Sequence, residues 1–185
     1  MNQEKVLIGI TGGIAAYKTL ELIRLLTKAG AQVRTILTQN GAQFVTPLSV
    51  ETLSGHAAAM DMFSSRQAPA IAHIELALWP DLFLVAPATA NFLGKAANGI
   101  ADDLLSTTYL ALRTDVPVML APAMNSRMWN HPATKRNLET LHSDLGLRLH
   151  VAGPRDGDLA CGEEGIGAMS EPRQLFDSIA KRLTT

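Results

Sequence analysis

The only thiol in the chain, Cys161, lies in Leu159-Ala160-Cys161-Gly162-Glu163-Glu164-Gly165, within a stretch from 153 to 167 that holds five glycines. A lone cysteine is usually a small buried hydrophobe. Here glycine and acids flank it in a polar segment, a poor setting for burial. Glu163 and Glu164 favour the protonated thiol, so Cys161 is a candidate proton donor rather than a nucleophile. The segment 153–169 lacks apolar periodicity and reads as a long functional loop. Asn125 sits in Ala121-Pro122-Ala123-Met124-Asn125-Ser126-Arg127-Met128-Trp129, directly after an apolar run. It can both donate and accept, and Pro122 keeps the preceding residue extended so that no helix follows at once. Met124, Met128 and Trp129 read as core or subunit-interface packing.

Three further segments suit a bound ligand. Thr11-Gly12-Gly13-Ile14-Ala15-Ala16 joins an apolar run to a helix. Glycines allow close backbone approach, and a helix N-terminus offers N–H groups to an anion. The pattern is neither GxGxxG nor a P-loop, so it is either an anion cradle or a tight turn with nothing bound. Thr38, Gln39 and Asn40 stand where dinucleotide sites usually place an acid for the ribose. Neutral donors there suit a terminal phosphate, which favours a mononucleotide such as FMN over NAD. In Ala86-Pro87-Ala88-Thr89-Ala90-Asn91, small residues let a planar ligand lie on the backbone, and Thr89 and Asn91 can bond its polar edge. Asn91 is equally suited to capping the next helix.

Asp102-Asp103 is a paired-acid candidate for acid–base chemistry. Adjacent helical residues point about 100° apart, so helix N-terminal charge is the better reading. Among the five histidines, none shows metal-ligand spacing. His56, His131, His142 and His150 read as surface or structural groups. His73 precedes Ile74-Glu75-Leu76, at the mouth of the sheet rather than within an element, and is a candidate catalytic group.

These segments need a scaffold, and the apolar runs supply one. Val6 to Ile10, Val33 to Leu37, Leu82 to Ala86, Val116 to Leu120 and Leu147 to Val151 are apolar nearly throughout, as strands covered on both faces are. Helices are expected over Ala15 to Ala29, with Leu20, Ile23, Leu26 and Thr27 on one side, over Asp102 to Leu112, over Pro132 to Leu145, and from Pro172 to about Leu183. Alternating strands and helices imply right-handed crossovers and a parallel sheet. The expected fold is α/β, a three-layer Rossmann-like domain spanning 1–185, with ligands beyond the carboxyl ends of its strands. The chain has 185 residues, 47% hydrophobic, with 16 basic and 17 acidic side chains and a net charge of -1. No basic excess invites nucleic acid, no run approaches the ~20 residues of a membrane span, and no signal peptide is visible. One cysteine excludes an intrachain disulfide and fits a reducing, cytoplasmic setting.

Together TGGIAAYK (11–18), HIEL (73–76), APATAN (86–91), PAMNSRMW (122–129) and LACGEEGIGAM (159–169) resemble the homo-oligomeric flavin-containing cysteine decarboxylases. The resemblance runs from Thr11 to Pro172. Within that family it points to the branch acting on 4'-phosphopantothenoylcysteine in coenzyme A synthesis. It implies a Rossmann-like flavoprotein with FMN near a subunit boundary, in trimers or dodecamers built from them, and a phosphopantothenoylcysteine synthetase as a fused or separate partner.

By the resemblance, Gly12, Gly13, Ile14 and Thr38 contact the flavin phosphate region. Thr89, Ala90, Asn91 and Phe92 line the flavin, where many relatives have serine at Thr89, and Ser106, Thr107 and Ala123 are further contacts. Met124, Asn125, Ala160 and Gly162 bind substrate. His73 is the base, Asn125 holds the carboxylate, and Cys161 on a mobile substrate-covering loop is the proton donor. The implied chemistry is oxidation of the thiol carbon by the flavin, loss of CO2, then return of the hydride with a proton from Cys161. A peptidyl-cysteine decarboxylase of lantibiotic maturation generally lacks the cysteine loop, and a flavin prenyltransferase has no use for the asparagine and cysteine motifs. A non-catalytic FMN-binding partner is the remaining class, and a substrate assay separates it.

Overall fold

The structure, a computed structural model, describes residues 3–62, 72–158, 162 and 164–183. Ala160 and Cys161 lie outside the described residues. The chain runs β1 (Lys5–Ile10), α1 (Ala16–Lys28), β2 (Gln32–Leu37), α2 (Pro47–Ser54), α3 (Ala72–Leu78), β3 (Leu82–Ala88), α4 (Ala90–Ala97) and α5 (Leu104–Leu110). It continues through β4 (Val118–Pro122), α6 (Ser126–Asn130), α7 (Pro132–Leu145), β5 (Leu149–Val151), β6 (Arg155–Asp158), β7 (Glu164–Ala168) and α8 (Pro172–Leu183).

The five long-range strands form one parallel sheet in the order β2-β1-β3-β4-β5. Strands β1, β3 and β4 feed side chains to two cores at once, which is why their sequences are apolar rather than alternating. Val6, Ile8 and Ile10 pack with Leu82, Leu84 and Met119 beneath α1 and α8, through Leu22, Ile23, Leu26, Leu175 and Ile179. Leu7, Phe83, Val85, Val118 and Leu120 face the opposite layer, with Phe92 and Leu93 of α4, Leu105 of α5 and Leu138 and Leu141 of α7. The sheet is thus sandwiched between helices, as the pattern predicts.

Several boundaries differ from the sequence reading. Strand β4 is Val118–Pro122 rather than 116–120, because Pro117 offers only its carbonyl, which accepts from Phe83 N–H at 3.0 Å. Strand β5 begins at Leu149, since Gly146–Arg148 is a 3-10 turn that leaves Leu147 99% exposed. The buried face of α1 is Ala16, Thr19, Leu22, Ile23 and Leu26, rotated from the expected stripe by Thr19 Oγ1, which donates to Ala86 O at 2.7 Å. Helix α5 starts at Leu104, after Asp103 as its N-cap. Helices α2 and α3 had no assignment in the sequence, and His73 lies within α3 rather than outside any element. The segment 153–169 is not an irregular loop: β6 and β7 pair antiparallel within it. Among the described residues, no helix is long and apolar enough to cross a membrane.

Candidate functional site

The chain moves outward from β1 to β2 and returns on the other side of β1 to β3, so the sheet changes direction between β1 and β3. Ligand crevices in open α/β sheets form at such a point. A cavity of about 940 Å³ opens there, bounded by the residues that follow β1, β2, β3 and β4 and by the β6–β7 hairpin. It brings together Gly12, Gly13, Ile14, Thr38, Thr89, Ala90, Asn91, Phe92, Ala123, Met124 and Asn125 from the expected site residues.

The floor is built from backbone approach and short polar side chains. A Cβ on Gly12 would lie 2.5 Å from Asn40 Cβ and 3.0 Å from its carbonyl carbon, so glycine is required for the β1 and β2 loops to meet. Thr11 Oγ1 donates to Pro87 O at 2.7 Å and ties the β1 loop to the β3 loop. Helix α1 has no side-chain cap at Ala15. Backbone carbonyls take the place of one, Ala16 N–H donating to Gly13 O at 2.9 Å and Lys18 N–H to Ala15 O at 3.0 Å. Thr38 Oγ1 accepts from Gly41 N–H at 3.0 Å and shapes the turn after β2. Thr89, not Asn91, caps α4 by accepting from Phe92 N–H at 3.4 Å, and this leaves Asn91 exposed to the cavity.

Asn125 is the N-cap of α6, its Oδ1 accepting from Arg127 N–H at 2.8 Å. That bond fixes which end of the amide is the acceptor and presents Nδ2 as the donor end. The hairpin docks on this turn. Met124 N–H donates to Gly167 O at 3.0 Å, and Gly165 passes so close to Ser126 that a Cβ would lie 2.7 Å from its Oγ. Met128 is 47% exposed in the cavity wall and so is not part of the chain's own core. Trp129 does pack against the core, with Lys135 Nζ 4.0 Å above its ring.

Not every expected residue gathers here. Ser106 is fully buried and completes a capping box with Asp103: its N–H donates to Asp103 Oδ1 at 2.8 Å, and its Oγ accepts from Asp103 N–H at 3.2 Å. Thr107 Oγ1 donates to the carbonyl of Asp103 at 2.7 Å. Neither lines the cavity. His73 is half-buried on α3, which packs on α5, and it too is absent from the cavity lining of its own chain. Gly162 is exposed, at a φ of 81°.

Tyr17, Lys18, Lys95, Arg155 and Met169, none of them expected individually as site residues, also line the cavity. Tyr17, Lys18, Arg155 and Met169 fall within the marked segments 11–18 and 153–169, but packing sets which of their residues turn into the site. Asp102 and Asp103 serve charge pairing, at 2.6 and 2.7 Å from Lys95 Nζ. Burial opposes the charged form of both Lys95 and Asp103, but their pairing outweighs it. Lys95 is raised, and Asp103, aided by the Ser106 N–H, is held below its ordinary value. A depressed carboxyl stabilises the fold above its unfolded pKa of about 3.9, and that contribution is lost as pH falls through the lower folded value. Asp103→Asn, which keeps the cap, is therefore expected to be less stable than the parent at pH 7. The gap should close below about pH 4, read from urea midpoints across the acid range; a gap constant with pH would assign the loss to something other than charge.

A parallel sheet with a ligand cavity at its switch point, a glycine turn into the following helix and neutral side chains after β2 defines a nucleotide-type binding fold. The chain matches the Flavoprotein family over residues 1–184 and belongs to it. It is 47% identical, over 97% of its length, to the coenzyme A biosynthesis bifunctional protein CoaBC of Haemophilus influenzae, and 46% identical over 95% to that of Bacillus subtilis. It spans 44% and 42% of those two relatives, less than half of each. Among solved structures, a Cys-to-Ser variant of PPC decarboxylase complexed with pantothenoylaminoethenethiol superposes with a TM-score of 0.85 at 31% identity over 100% of both chains. The FMN binding protein AtHal3 superposes at 0.79 with 33% identity, over 97% of this chain and 96% of that one.

Proposed function

We propose that this chain is the FMN-dependent decarboxylase that converts 4'-phosphopantothenoylcysteine to 4'-phosphopantetheine in coenzyme A synthesis. The observation that carries the reading is the meeting, in one cavity, of the Gly12–Gly13 cradle, the Thr89–Asn91 edge and the Asn125 turn, beneath the hairpin whose connection contains Cys161. The volume of about 940 Å³ stands at the upper end of ligand sites, at about 300–1,000 Å³, which suits a flavin and a substrate together. The residues fit FMN: Gly12, Thr38 and the α1 N-terminus for its phosphate, small residues and Thr89, Ala90, Asn91 and Phe92 for its ring. The CoaBC relatives and the PPC decarboxylase structure support the same assignment.

Bound FMN would supply the two-electron oxidation of the substrate's thiol carbon and return the hydride after CO2 leaves. Asn125 holds the substrate carboxylate through Nδ2, its Oδ1 being engaged by Arg127 N–H. Met124 and Gly162 flank the substrate, with Ala160 beside the thiol that closes the reaction. Cys161 delivers the final proton from the hairpin connection. His73 takes the thiol proton. Because it does not line its own chain's cavity, it would serve the cavity of an adjacent copy in a homo-oligomer, a trimer or a dodecamer of trimers. The synthetase that makes the substrate would be a fused or separate partner, in the cytoplasm.

Cys161→Ser separates the steps. The variant is expected to release CO2 while accumulating the enethiol product, detected by mass analysis of the quenched reaction. Full turnover to 4'-phosphopantetheine would remove Cys161 from its role, and wild-type protein that releases no CO2 would overturn the function.

A further inference from the structure

Three cationic side chains line the cavity among the described residues: Lys18, Lys95 and Arg155. Lys95 is matched by two carboxylates, Asp102 and Asp103. Lys18 and Arg155 share one. Lys18 Nζ lies 2.9 Å from Oε1 of Glu171, and Arg155 Nη2 pairs with the same oxygen. This corner therefore carries one positive charge in excess, on the wall of a cavity rather than in open solvent. Arg155 Nη1 donates to the carbonyl of Asp156 at 3.2 Å, whereas its Nε is shut off from solvent without a hydrogen-bond partner. The cavity-facing capacity of the corner thus rests on Lys18 Nζ and the outer guanidinium nitrogens, which have only the one Glu171 carboxylate between them. Arg155 opens β6 and pairs with Ala168 of β7, which also lines the cavity, so it enters the site on the hairpin that carries the cysteine connection.

The geometry points to a phosphate subsite here: Arg155, with Lys18 beside it, receives the terminal phosphate monoester of the substrate and sets the preference for the phosphorylated over the dephosphorylated compound. A forked guanidinium next to an ammonium suits a dianionic phosphate. This assignment rests on the decarboxylase reading. The flavin carries the same chemical group, and Lys18 stands in the first turn of α1, the helix whose start adjoins the cradle of Gly12, Thr38 and Asn40, so experiment must tell the two phosphates apart.

Steady-state turnover by FMN-loaded wild type, Arg155→Gln and Glu171→Gln tests it, on 4'-phosphopantothenoylcysteine and on pantothenoylcysteine. Affinities for FMN and riboflavin are measured alongside. Arg155→Gln is expected to raise KM for the phosphorylated substrate about ten- to hundredfold, leaving kcat, the dephosphorylated substrate and the FMN-to-riboflavin ratio unchanged. Glu171→Gln breaks the same ion pairs but releases both cations, so it should lower KM for the phosphorylated substrate alone. A tie that is merely structural would instead weaken both substrates in both variants, and that result overturns the subsite. So does a changed FMN-to-riboflavin ratio with substrate KM intact, which gives the phosphate to the flavin. Wild type active on the substrates but indifferent to Arg155→Gln defeats the subsite alone; wild type active on neither defeats the decarboxylase reading.

Discussion

Asn125→Asp is expected to lower decarboxylation by about 10³-fold or more, the loss of a transition-state donor compounded by charge repulsion. The substitution is informative because of where Asn125 sits. Its Oδ1 caps α6 by accepting from Arg127 N–H at 2.8 Å, and aspartate caps a helix as well as asparagine does. The turn should therefore persist, and with it the docking of Met124 N–H on Gly167 O at 3.0 Å. What changes is the other end of the side chain, where an amide donor becomes an anionic oxygen, which on the proposed function would face the substrate carboxylate. The expected signature is unaltered flavin absorption and melting temperature with CO2 release at background. Activity within a few-fold of wild type would show that the carboxylate is held elsewhere.

Gly12→Ala should act on the cofactor instead. The added methyl would fall 2.5 Å from Asn40 Cβ and 3.0 Å from Asn40 C. These atoms are main chain or fixed to it, so relief requires the β1 and β2 loops to part. Those two loops line the cavity and are its proposed phosphate end. The protein is expected to purify with little colour and to bind added FMN at least ~100-fold more weakly, as several charge-assisted hydrogen bonds to one phosphate are lost together. The two cores lie beneath the sheet faces, away from this turn, so folding should survive. A fluorescence titration with FMN reads the effect, and tight FMN binding by the variant would show that the loops are not the cradle.

Gly13 makes a contrast within the same turn. Its Cβ would meet Pro87 Cγ at 3.6 Å and Thr89 Cγ2 at 3.7 Å, which is ordinary contact. The sequence singles out both glycines equally. Only the approach of Asn40 from the next loop distinguishes them.

The layered parallel fold was legible because burial on two faces writes itself into consecutive residues: Val6 to Ile10 serve both cores, and a strand exposed on one face would alternate. The ligand end of the sheet was legible too, since Thr11–Ile14, Thr38, Thr89–Phe92 and Ala123–Asn125 follow directly from strands. Local chemistry placed them, whereas the strand order β2-β1-β3-β4-β5 came only with the structure. Elements with weak periodicity were not legible. The α3 segment of Ala72–Leu78 is short, and the β6–β7 hairpin is made of Arg155–Asp158 and Glu164–Ala168, polar and glycine-rich, with its pairing supplied by backbone hydrogen bonds that side-chain pattern does not record.

By itself, then, the sequence determined the fold class and the loops that meet at the cavity, Asn125 among them. Tertiary structure alone decided that Lys18, Glu171 and Arg155, contributed by α1, the turn before α8 and β6, share one corner of the cavity. It also decided that Lys95 meets two carboxylates while Lys18 and Arg155 share one. It took His73 out of the cavity of its own chain and turned Ser106 inward as a cap. Charge balance and side-chain direction depend on which elements pack together, and residues 153 positions apart, such as Lys18 and Glu171, leave no trace of that meeting in their local sequence.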